Sequence, residues 1–69
     1  MLKEHDVVTA TVDVPDQGVA AGDVGAVVHC YPSETYEVDF VDDHGRGKGV
    51  VTLSAAQLLR LNLVSLLAS

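Results

Sequence analysis

Sixty-nine residues, 48% of them hydrophobic and 20% charged, suit one small packed domain and leave no room for a second domain or a long disordered tail. Ten Asp and Glu against four Lys and Arg give a formal charge of −6, which repels the phosphate backbones of nucleic acids. A single cysteine excludes an internal disulfide framework and any CxxC site.

The chain opens on a polar, acid-bearing stretch, residues 1–6, with no apolar run and cleavage site behind it, so no secretory signal is expected. Residues 6–13 then read as a first strand, with Val8, Ala10 and Val12 on one face and Thr9 and Thr11 on the other. Pro15, Asp16 and Gly18 break it, because proline cannot donate to a ladder and Asp and Gly favour turns. With the second turn signal at Gly22 and Asp23, residues 14–23 form a long loop.

Residues 24–31 are predicted as a second strand, apolar on both faces and therefore expected to be buried on both sides, with Cys30 beside Ala26 and Val28. Gly25 near its start signals a bulge or a close backbone approach. After a short turn at residues 32–34, Tyr36, Val38 and Phe40 alternate with Glu37 and Asp39 over residues 35–42, placing the aromatics in the core and the acids in water. A glycine-rich hairpin loop, residues 42–47, leads to a fourth strand over 48–53. Ser54-Ala55-Ala56-Gln57 reads as a single helical turn with Ser54 as its cap. A fifth strand is expected over residues 58–64, where Leu59, Leu61 and Leu63 alternate with Arg60 and Asn62; the leucine-rich composition of 61–69 equally suits a short helix. Residues 58–68 are too short to cross a bilayer, which takes about 20 apolar residues, and a cytoplasmic protein with a reduced thiol is the expectation.

Five short strands with a helical turn before the last predict an all-β fold, a small five-stranded barrel filling residues 1–69, since closure builds a core from few residues and hides sheet edges. This order of elements resembles the SH3-like barrels. The stretch with Asp6-Val7-Val8, Gly18 and Gly22-Asp23-Val24-Gly25-Ala26-Val27-Val28 is similar to the β-loop-β unit of KOW-type domains. Together with Val27-Val28-His29, Tyr31, Tyr36-Glu37-Val38, Phe40 and Val51-Thr52-Leu53, it also resembles a family of short bacterial proteins of unknown function, over residues 1 to about 60. That resemblance implies the fold, says almost nothing of activity, and implies genes often found near toxin-like or mobile ones. The leucine-rich segment from Leu61 departs from the family pattern.

Candidate chemistry is sparse. Gly45-Arg46-Gly47-Lys48-Gly49 lacks the spacing and the strand-to-helix setting of a phosphate loop and reads as a hairpin tip. His29 and Cys30, adjacent on a strand, point to opposite faces and cannot share an ion or act as base and nucleophile. Asp42, Asp43 and His44 form at most a weak loop site without the ligand spacing of structural zinc, so no metal or cofactor is expected. All ten acids lie in residues 1–43, whereas residues 44–69 carry Arg46, Lys48 and Arg60 and no acid. Three cations and three aromatics, two of them in the core, make a poor nucleic-acid or polyproline platform. The KOW resemblance makes a nucleic-acid module built on Arg46, Lys48 and Arg60 the runner-up.

What remains is contact with protein. Asp13, Asp16, Asp23, Glu34, Glu37 and Asp39 are candidates for an acidic surface that meets a basic partner. Leu59, Leu61, Leu63, Val64, Leu66 and Leu67 offer more apolar surface than so small a barrel can cover, and are the candidate interface for self-association. The expectation is a non-enzymatic interaction module, an accessory or regulatory protein of antitoxin or immunity type.

Overall fold

The computed structural model describes residues 2–42 and 44–61. Five antiparallel strands form one sheet in the order β4-β3-β2-β1-β5, with β1 Val7–Ala10, β2 Val24–Tyr31, β3 Thr35–Val41, β4 Gly47–Ser54 and β5 Leu58–Arg60. Two 3-10 turns interrupt them: η1, Pro15–Gln17, in the long loop, and η2, Ala55–Gln57, between β4 and β5. The all-β architecture, the five strands and the helical turn before the last all follow the sequence reading. Closure does not. β4 and β5 stand at opposite ends of the sheet without pairing, so the barrel is open. A three-residue β5 has too few backbone groups to seal a seam along an eight-residue β4.

The core lies on one face. Val8, Ala10, Val27, Tyr36, Val38, Phe40, Leu53 and Leu58 are buried there, and Val19 folds in from the long loop to join them. Every buried side chain among the described residues is hydrophobic. Val19 carries no periodic signal, because a bridge between Val14 and Val19, rather than a strand, turns it inward. β1 ends at Ala10, short of the predicted residue 13. Gln57 accepts the next amide, that of Thr11, and Val12 is left 43% exposed.

β2 corrects a second expectation: it is buried on one side only. A register shift between Val27 and His29 adds one residue to the strand, so Val27 and Cys30 both face the core although three positions apart. Val28, predicted to share a face with Cys30, is 43% exposed, and His29 moves to the outer face opposite Glu37. β4 holds a second shift, where Phe40 pairs with Gly49 and Val41 with Gly47; Gly49 takes φ +112° there, a conformation L side chains rarely adopt. At η2, Gln57 Oε1 accepts the Ser54 amide at 2.9 Å and its hydroxyl at 3.3 Å, which fixes the turn that separates β4 from β5.

Gly25 is the tightest point. It pairs with Val8 on one side and Phe40 on the other, and a Cβ there would lie 2.6 Å from the Asp39 carbonyl oxygen and 2.9 Å from the Phe40 Cα. Both contacts are backbone, so relief requires β2 and β3 to move apart. Gly25→Ala is therefore expected to destabilise the fold by about 1–3 kcal/mol, the usual cost of overpacking. Urea unfolding followed by circular dichroism checks this, and an unchanged midpoint would contradict the close approach.

Candidate functional site

The outer face of the sheet is where exposed apolar residues gather. Cross-strand registers place Leu59, Thr9, Val24 and Val41 in one row across β5, β1, β2 and β3. The next row holds Val7, Ala26, Asp39 and Val50. Residues directly opposite share a face, so these rows form a continuous, mainly apolar surface. Leu59 is 57% exposed and Val50 54%, and Val24 and Val41 are exposed as well. Leu58, not Leu59, enters the core, which turns Leu59 outward onto this surface. Leu61 is half-buried and donates its amide to the Val7 carbonyl at 2.8 Å. Leu63, Val64, Leu66 and Leu67 lie outside the described residues.

The two edges of the sheet differ. On β4, the Thr52 carbonyl accepts Gln17 Nε2 at 3.3 Å and the Ser54 amide is held by Gln57. Both groups belong to the alternate positions that face away from β3, so side chains guard much of this edge. On β5, Gln57 and Leu61 bond the β1 flank at Thr11 and Val7, and Leu58 and Arg60 alternate with them. The Leu58 amide is taken by the Ala55 carbonyl. The Leu58 carbonyl and the Arg60 backbone point to an edge that no described strand covers.

The six candidate acids do not form one patch. Asp13 Oδ1 accepts the Ala21 amide at 2.8 Å and Asp23 Oδ2 accepts the Ala20 amide at 3.0 Å, so both organise the long loop. Asp16 is exposed on η1. Glu34 sits at the β2–β3 hairpin tip, next to Ser33, and both have positive φ. Glu37 and Asp39 lie on the outer face of β3, Asp39 in the second apolar row and Glu37 in a polar one between His29 and Thr52. Glu37 Oε2 accepts the Tyr31 hydroxyl at 2.8 Å, and this bond, with burial and the Glu37 charge behind it, pushes the Tyr31 phenol above its usual 10.0. The His29 ring meets Tyr31 edge-on, with centroids 4.5 Å apart.

Two of the three C-terminal cations are engaged. Lys48 Nζ lies 2.7 Å from Asp23 Oδ2, and Arg60 Nε lies 3.6 Å from Asp6 Oδ2. Each pairing reduces what these side chains offer a phosphate backbone. In the loop between β3 and β4, Asp42 Oδ1 accepts the amides of His44 and Arg46 at 2.8 and 2.9 Å, an Asx-type turn that uses the carboxylate for the backbone. Asp43 lies outside the described residues. Among the described residues no three His, Cys, Asp or Glu converge as metal ligands. Among the described residues, the half-buried Cys30 thiol has one polar partner, the Leu2 carbonyl at 3.8 Å.

The sequence of the DUF4926 family, described as a domain of unknown function, matches residues 4–60. The chain belongs to this family. The DUF4926 match spans all five strands and stops at the last residue of β5. No curated protein and no solved structure matches the chain. Among the described residues, no helix is long and apolar enough to cross a membrane.

The ion pair between β4 and the loop before β2 carries a pH dependence. The Ala20 amide first, and the Lys48 ammonium second, hold the Asp23 carboxyl below its ordinary 3.8. A depressed carboxyl stabilises the fold fully above its unfolded value, and that contribution disappears as pH falls through the lowered one. In thermal melts at low ionic strength, the gap between the wild type and Asp23→Asn is expected to be constant above pH 3.8 and to shrink below it. A gap independent of pH would remove this role from Asp23.

Proposed function

We propose that this chain is a non-enzymatic protein-interaction module of the cytoplasm that self-associates through β5 and the outer face of the sheet. The observation that carries this reading is the row of Leu59, Thr9, Val24 and Val41 ending at the β5 edge, which no described strand covers. Apolar side chains there lose little and gain much by meeting another surface, at about 25 cal/mol for each Å² removed from water. Strand addition at β5 supplies backbone hydrogen bonds in register with those side chains. The leucines beyond Leu61 extend the same composition.

An accessory role of antitoxin or immunity type is the biological form we assign to the module. The net charge of −6 supports it, because negative charge steers a basic partner and repels wrong ones. The engagement of Lys48 and Arg60 by acids weighs against the KOW-type alternative.

Light scattering over a concentration series is expected to give a mass above the monomer. Leu59→Lys, at an exposed position that leaves the core alone, is expected to weaken association about tenfold or more, the worth of one buried leucine. A monomeric wild type throughout the series, or an unaffected variant, would end this reading.

A further inference from the structure

At the end of the sheet opposite the β3–β4 loop lies a cleft of about 240 Å³, lined chiefly by Leu2, Cys30, Tyr31, Pro32, Glu34 and Tyr36. Its size limits what enters. An apolar cavity of roughly 150 Å³ holds benzene, whereas sites for whole small-molecule ligands run to roughly 300–1,000 Å³. The cleft therefore suits one aromatic or branched side chain and is too small for a nucleotide or a cofactor.

Its chemistry narrows the choice. Tyr36 is the most buried part of the lining, 3% exposed, and none of the described residues makes a hydrogen bond to its hydroxyl. A donor is thus left for an incoming acceptor such as a peptide carbonyl. Glu34 is an exposed residue of the lining, and Glu37 is hydrogen-bonded to Tyr31, another lining residue. Among the described residues, no lysine or arginine pairs with either carboxylate. Ser33 and Glu34 both have left-handed backbones, φ +65° and +55°, so the hairpin tip holds this part of the lining in a conformation costly for non-glycine residues.

We propose that this cleft receives a single apolar side chain from a protein segment that carries lysine or arginine beside that anchor. The inference deepens the interaction reading by naming its recognition element, at a place separate from the Leu59 row. The anchor fills the carbon-lined cleft, its backbone carbonyl accepts the Tyr36 hydroxyl, and the flanking cation meets Glu34.

The test follows backbone amide resonances of the full chain during titration with three capped tripeptides: Lys-Phe-Lys, Lys-Ala-Lys and Glu-Phe-Glu. Lys-Phe-Lys is expected to shift the amides of Cys30, Tyr31 and Tyr36 saturably. Lys-Ala-Lys, without the anchor, is expected to bind about tenfold more weakly. Glu-Phe-Glu is expected to bind several-fold more weakly, by a margin that salt reduces. Tyr36→Phe keeps the ring in the core and is expected to weaken both phenylalanine peptides alike, and Glu34→Gln to reduce the preference for the basic one. Equal binding of the alanine peptide, equal binding of the acidic peptide, or shifts confined to other residues would overturn the proposal. Because mass reads the Leu59 row and the amides read the cleft, either conclusion fails without the other.

Discussion

Phe40 sits between two glycines, and much of the architecture depends on that arrangement. Its row across the sheet runs from Val8 through Gly25 and Phe40 to Gly49. Gly25 lets the backbones of β2 and β3 approach closely, and Gly49 bends β4 at its bulge. The ring occupies space that neighbouring side chains would otherwise fill, and it is 1% exposed. A sheet that curls at two glycines can bury one face within itself, which a flat sheet of this length cannot do. Among the described residues, nine hydrophobic side chains form the core on the face that carries Phe40.

Polar groups complete what the core leaves unfinished. A chain this short buries only about 60% of the surface its unfolded form exposes, so loops need their own fastenings. Asp13, Asp23 and Asp42 supply them by accepting backbone amides, and Lys48 ties the β4 end to the loop before β2. These acids are acceptors first and surface charge second. The acids of the molecule are therefore divided between the loops and the outer face of β3.

The unequal edges give the open sheet a direction. Gln17 and Gln57 occupy polar groups along β4, which is how natural sheets discourage edge-to-edge pairing. β5 has no comparable guard among the described residues, and Leu59 lies on its outer side. The same hairpin that bears Glu34 closes the far end of the sheet with an apolar cleft. The edge that no described strand covers and the apolar cleft thus lie away from β4's bonded groups.

Local pattern was enough to recover the elements. Alternation in Tyr36-Glu37-Val38-Asp39-Phe40 set the phase of β3, Gly25 announced a close approach, and Ser54 with Gln57 announced the turn before β5. These signals are local because strand phase and capping involve residues a few positions apart. The inward fold of Val19 and the extra residue at Val28 had no such signal. Each depends on which strand lies alongside, and register is a relation between distant segments that composition does not encode. The candidate surface residues were legible as a list of leucines and acids, but not as a place. Sequence by itself determined that the chain is an all-β domain with an acidic balance and a leucine-rich end. Only the tertiary structure decided that the barrel stays open, that the acids divide between loops and strand, and that a cleft forms beside Tyr36, because each of these needs strands distant in sequence to meet in one register.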